Sequence, residues 1–270
     1  MFYRIILTVP LLLASAAAEN IGADATHPDI QRTWTVGLQG GVASTFQMTL
    51  GGVFGEGPAV QDKLTAGLNN AFREGDSLTA FGWSTTDMRS HVPSWQTGLN
   101  YRNRLFRSRH QSLAVGAGIQ RWLLPSVKTG ANDWVLSGSL NYTTKIRRVP
   151  LFVSGDSCSL LASTLPTGST VYTQIYTEHP LLRRESLKVL LRHGPQYTYS
   201  WGFYGAEGNR VVRYTGLVAM TWKDTTIEAG YRQQFGLQDR IRNYGYWSVL
   251  VSRQMNGLFH STPKLGAGGA

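Results

Sequence analysis

Between residues 134 and 145 the sequence alternates between two unlike faces. Trp134, Leu136, Gly138, Leu140 and Tyr142 fall on one, and Val135, Ser137, Ser139, Asn141, Thr143 and Lys145 on the other. A period of two is the mark of a β-strand whose sides meet different surroundings. Length is the real constraint. Trp134 and Tyr142 stand eight residues apart, which is about 27 Å along an extended chain. A strand tilt of about 40° turns that into about 20 Å of depth between two aromatic side chains. Strands of soluble sandwiches mostly run to about six residues. A face this long, apolar in the middle and aromatic at both ends, fits a sheet that crosses a bilayer.

The pattern recurs along the chain. Trp95, Thr97, Leu99 and Tyr101 oppose Gln96, Gly98, Asn100 and Arg102, while Leu113, Val115, Ala117 and Ile119 oppose Ser112, Ala114, Gly116 and Gly118. Further on, Tyr197, Tyr199, Trp201 and Phe203 share one parity, as do Val212, Tyr214, Gly216, Val218, Met220 and Trp222, and again Ile227, Ala229 and Tyr231. Weaker segments lie at 33–41, 46–54, 62–72, 77–84, 149–157, 168–178, 185–193 and 244–254. Together they make up to fourteen candidates, some of which merge, so twelve strands are expected within a range of ten to fourteen. Short turns are expected at 73–77, 107–111, 146–149, 206–209 and 223–224, and longer loops at 84–94, 122–132, 157–167 and 235–243. Short connections imply up-and-down antiparallel hairpins.

Composition narrows the class. Charged residues are only 16% of the chain, against about 25% in soluble domains. Mean hydropathy is −0.18, and no stretch has the roughly 18 consecutive apolar residues of a helical span. The formal net charge is +10, yet no Lys/Arg run exceeds two and no nucleic-acid motif is present. Anionic lipid headgroups or a small anionic solute suit that charge better than nucleic acid. The single cysteine, Cys158, has no partner for an intramolecular disulfide.

Residues 1–18 read as a secretory signal peptide. Arg4 supplies the positive start, Ile5–Leu13 the short apolar core, and Ala16-Ala17-Ala18 the small residues before cleavage near Ala18. Residues 19–32 read as a flexible lead-in, 33–254 as the barrel and 255–270 as a C-terminal tail.

Signal peptide and strand pattern together resemble the bacterial outer-membrane β-barrel proteins, over residues 33–254. The resemblance implies an all-β, up-and-down transmembrane barrel in the outer membrane. It also implies outer-membrane lipid and lipopolysaccharide as surroundings, and the barrel-assembly machinery as partner. One feature departs from that group, whose members usually finish on a strand with a terminal aromatic residue. Here the last expected strand is followed by a Gly- and Pro-containing tail in which Phe259 is the sole aromatic.

Two sets of site residues follow from the face assignments. Trp95, Tyr101, Trp134, Tyr142, Tyr214 and Trp222 are the expected membrane-interface aromatics. Arg102, Lys145, Arg213 and Arg232, with Glu228 opposing them, are expected to point into the lumen, where they would favour anions if it is filled with water or pair with one another if it is plugged. No cofactor or metal is expected. The six histidines (His27, His91, His110, His179, His193 and His260) show no ligand spacing, and most fall in expected turns or loops, where they read as solvated side chains. Gly155-Asp156-Ser157 resembles the nucleophile block of GDS-type hydrolases, and Gly130-Ala131-Asn132-Asp133 a second block of that family. Their order is reversed and the Asp-x-x-His base is missing, so catalysis through Ser157 is not expected.

Three functions compete on these grounds. The first is a non-enzymatic outer-membrane channel or envelope scaffold with an anion-leaning lumen. The second is an outer-membrane enzyme modifying lipid or lipopolysaccharide. The third is a secreted, soluble β-sandwich that binds carbohydrate with its Tyr and Trp side chains.

Overall fold

The computed structural model describes residues 31–47, 53–55, 57–125, 131–146, 149–163, 167–239 and 241–258. The described elements are all strands: β1 (Thr33–Ala43), β2 (Phe46–Gln47), β3 (Val53–Gly55), β4 (Ala59–Asn69), β5 (Asp76–Asp87), β6 (Pro93–Arg107), β7 (Ser112–Leu124), β8 (Ala131–Ile146), β9 (Val149–Ala162), β10 (Ser169–Arg183), β11 (Leu187–Phe203), β12 (Ala206–Trp222), β13 (Thr225–Gly236) and β14 (Tyr244–Leu258). Each barrel strand pairs antiparallel with its sequence neighbours, and β1 pairs with both β14 and β4, which closes the sheet. The result is a closed barrel of twelve strands, with β2 and β3 as a separate two-stranded sheet. Closure leaves no barrel strand with an unpaired edge.

Two expected segments did not become barrel strands of their own. The 46–54 candidate yields only the short β2–β3 pair, with residues 48–52 outside the described residues. The 185–193 and 196–203 candidates form one strand, β11, that runs through Gly194-Pro195. Gly-Pro reads as a breaker because proline has no N–H to give a ladder. Here β12 holds both residues in register, pairing Gly194 with Thr215 and Pro195 with Tyr214. On the other side, the β10 pairing skips from Gln174↔Gln196 to Thr177↔His193.

Several boundaries also move. The turn expected at 206–209 lies instead at Tyr204-Gly205, where φ is 51° and 73°. Positive φ at both central residues is the two-residue type I′ hairpin, whose twist matches its strands. The loop expected at 157–167 is shortened by β9, so Gly155-Asp156-Ser157 lies within a strand. The 84–94 loop shrinks to 88–92, and β14 continues to Leu258 rather than ending at 254.

Thr33 pairs with Leu258, so the barrel's first and last residues share one end, here called the terminal end. Connections there include the Lys223-Asp224 link, and the opposite, distal end carries both the two-residue Tyr204-Gly205 turn and the long connection between β1 and β4.

Candidate functional site

The interior is where the pleat brings polar and aromatic side chains together. Ala43 pairs with both Ser248 and Ala59, and tracing register from there assigns every strand a face. Arg213, Thr215, Leu217 and Ala219 of β12 turn inward and are buried, while Tyr214, Val218, Met220 and Trp222 turn outward and are exposed. The two parities separate in the same way on β8 and β14.

At the distal end the interior holds a cluster of buried apolar side chains among buried polar ones such as Gln96, Gln120 and Asp133. Trp122 of β7 meets Phe203 of β11 edge to face, with ring centroids 6.0 Å apart. These strands stand four places apart around the wall, so the contact spans the lumen. Leu124, Val135, Cys158 and Leu160 pack with them, and Ala59 on β4 joins from a third side. Phe203 was expected outward with Tyr197, Tyr199 and Trp201. A register shift at Gly202, whose φ of 67° an L side chain rarely adopts, turns it inward. The hydroxyl of Tyr204 donates to Asp133 Oδ2 across the same mouth. Burial first, and then that hydrogen bond, push the Tyr204 phenol above its ordinary pKa.

Below this layer lies a hydrogen-bonded girdle. Arg213 is 2% exposed. Its Nη2 donates to Gln234 Oε1 at 2.6 Å and its Nη1 to Gln196 Oε1 at 3.4 Å. Arg213 and Arg232 both approach the Tyr246 ring, each 5.8 Å from its centroid. Arg232 Nη1 also donates to Ser248 Oγ at 2.8 Å. Nearer the terminal end, Arg192 binds Glu178 Oε1 through Nη2 at 2.6 Å and Nε at 2.8 Å, and reaches Glu228 Oε1 at 3.4 Å. The same guanidinium lies 5.2 Å from the Tyr176 ring, which stacks on Phe152 at 4.7 Å.

The four basic residues singled out from the sequence therefore do not gather into one anion-binding track. Arg213 and Arg232 are engaged by wall amides, a hydroxyl and one tyrosine. Arg102 faces the interior from β6 with an exposed side chain, and Lys145 is exposed near the terminal end of β8. Arg192 and Glu178 are central to the interior and were missed. Their two segments alternate weakly, and Pro195 gave that of Arg192 the look of a strand end.

The six expected interface aromatics all fall on the outward face. Trp134, Tyr214 and Trp222 are exposed, and Trp95, Tyr101 and Tyr142 half-buried. Arg121 lies 5.1 Å from the Trp134 ring and Lys223 lies 5.0 Å from the Trp222 ring. Pairing cations with rings in this way favours the boundary between oil and water. Two histidines lie outside the turns and loops expected to hold most of them. His179 and His193 sit on β10 and β11, outward, with their rings stacked 5.2 Å apart. His91 and His110 do lie in turns, and His27 and His260 lie outside the described residues. Among the described residues no group of three or more His, Cys, Asp or Glu is arranged to hold a metal ion.

The chain is thus a closed, twelve-stranded antiparallel β-barrel with a buried apolar cluster spanning its distal interior. No protein-family model matches the sequence, and no curated protein matches it. Among solved structures, the NanC porin aligns with a TM-score of 0.49 at 8% identity, over 83% of this chain and 98% of its own. The translocator domain of the autotransporter NalP from Neisseria meningitidis gives 0.48 at 12% identity, over 93% and 97%. LpxR from Salmonella typhimurium gives 0.46 at 7% identity, over 80% and 99%. The likeness is one of fold.

Proposed function

We propose that this chain is inserted in the bacterial outer membrane as a sealed barrel and serves there as an envelope scaffold rather than an open diffusion channel. An outward face of Leu, Ile, Val, Trp and Tyr, bounded by ring–cation pairs, supports membrane insertion. The observation that carries the sealed interior is the Trp122–Phe203 contact across the lumen. Solute passing from the distal end would have to displace both rings and the buried side chains around them. The ion pairs of Arg192 and the amide partners of Arg213 leave an interior that holds itself together, and a scaffold needs no more.

Planar-bilayer recording tests this reading. The wild-type protein is expected to give no stable conductance steps, and Trp122→Ala combined with Phe203→Ala is expected to produce them. Porin-like conductance from the wild type would refute the scaffold and restore the channel. Vesicle flotation, with a heat-dependent gel shift as the sign of a folded barrel, tests insertion separately. A protein that stays in the aqueous phase without detergent would refute the membrane reading itself.

A further inference from the structure

We infer that the arc of the terminal rim from β6 to β11 is a docking surface for the phosphate headgroups of anionic lipid. The inference rests on the membrane reading above and assigns that membrane a contact at one part of one end of the barrel.

Charge sets the arc apart. The β6–β7 hairpin carries Arg104, Arg107 and Arg109, with no acidic residue between 103 and 115. The β10–β11 hairpin carries Arg183, Arg184 and Lys188 against Glu185 alone, and Lys145 of β8 lies between the two hairpins. Other links are nearer to balance. At the terminal end Arg73 precedes Glu74 and Lys223 precedes Asp224, and at the distal end Arg89 follows Asp87 and Arg210 follows Glu207. Both ion pairs among the described residues belong to Arg192. The arginines of the two hairpins therefore have no acidic partner there.

Shape brings the same residues forward. β6 last pairs with β5 at Asn103 yet continues to Arg107, and β10 last pairs with β9 at Thr177 yet continues to Arg183. Each hairpin thus projects beyond the strand at its flank.

What projects is both basic and apolar. Arg104-Leu105-Phe106-Arg107 and Leu181-Leu182-Arg183-Arg184 are exposed at every position. A soluble acidic partner would answer the guanidinium groups and leave Leu and Phe in water. Uncharged lipid would cover Leu and Phe and leave the arginines without counter-ions. The boundary of an anionic bilayer answers both, because acyl chains take the apolar side chains while the guanidinium fork grips phosphate oxygens.

Native mass spectrometry of the full chain in detergent, titrated with phosphatidylglycerol or phosphatidylcholine, tests the assignment. The wild type is expected to retain about fivefold more phosphatidylglycerol at equal concentration, which is the effect of one basic residue at an anionic surface. That excess is expected to shrink as ionic strength rises. Arg104→Gln, Arg107→Gln, Arg183→Gln and Arg184→Gln together are expected to abolish it, whereas Arg89→Gln with Arg210→Gln at the distal end keeps it. Equal retention of the two lipids by the wild type, or loss of the excess in the distal variant, overturns the proposal. Leu105→Ser with Leu181→Ser separates lipid from a soluble polyanion, and is expected to lower phosphatidylglycerol retention about twofold. Poly-glutamate that binds more tightly than phosphatidylglycerol, with no effect of the serine changes, gives the arc to a soluble acidic partner and overturns the proposal too. The heat-dependent gel shift confirms that each variant is folded, and should the four-site variant fail to fold, the salt dependence and the serine variant decide. Failure of the wild type to float with vesicles counts against the membrane reading instead.

Discussion

The two halves of the barrel interior are built from the same pleat but held by different forces. In the distal half Trp122, Leu124, Val135, Cys158, Leu160 and Phe203 form a buried apolar cluster, with Gln96, Gln120 and Asp133 buried beside them. The terminal half is lined by Glu178, Arg192, Glu228 and Arg102, with the Arg192–Glu178 pair 29% and 18% exposed. Apolar side chains seal because they pack to the density of a solid and exclude water. Ion pairs reached by water keep partners in place but contribute little net stability. The difference teaches that alternation decides which residues enter a lumen, whereas their size and polarity decide whether water stays there.

Phe203→Ala bears hardest on that contrast. Truncating a buried aromatic removes its packing and leaves a cavity, with a cost of about 3–5 kcal/mol. Urea unfolding in lipid vesicles, followed by tryptophan fluorescence, measures it. A loss below about 1 kcal/mol would mean that the distal layer does not behave as a packed core. Arg213→Ala comes next. It strips the donor from Gln196 and Gln234 inside the buried girdle, and leaving such groups unsatisfied costs about 1–3 kcal/mol each.

Tyr204→Phe has a smaller effect and carries a pH signature. It leaves buried Asp133 without its hydroxyl donor, at a cost of about 1–2 kcal/mol. The wild-type phenol holds its proton more tightly in the folded chain than in the unfolded one. Its contribution is therefore complete below the unfolded value of about 10 and declines above it, where the unfolded phenol ionises first. Unfolding at pH 8 and pH 11 should show a decline that the phenylalanine variant largely lacks. An identical decline in both proteins would sever the link to Tyr204. Glu178→Gln is the mildest change, at about 1 kcal/mol, because water screens the pair it breaks. A loss as large as that of Phe203→Ala would erase the contrast between the two halves.

Much of the wall was legible from local pattern. Trp134 to Tyr142 and Tyr214 to Trp222 showed their outward faces because a period of two is carried by consecutive residues and needs no partner strand. The twelve-strand number fell within the expected range once two candidates merged and a third left the barrel. Gly194-Pro195 hid that merger, since the neighbour that holds proline in register, β12, lies 19 residues further along at the Pro195↔Tyr214 pair. The interior site was far less visible. Arg213 and Arg232 were placed inward by parity, yet their partners Gln196, Gln234, Ser248 and Tyr246 come from three other strands.

By itself, then, the sequence determined strand length, face and hairpin order, all of which follow from the geometry of neighbouring residues. Only the tertiary structure decided that Trp122 would meet Phe203 from four strands away, and that Arg192, already opposite Glu178 in the β10–β11 hairpin, would also reach Glu228 two strands on. Those encounters depend on closure, tilt and register summed over many hairpins, and a one-residue slip in any of them would turn the side chains to the other face.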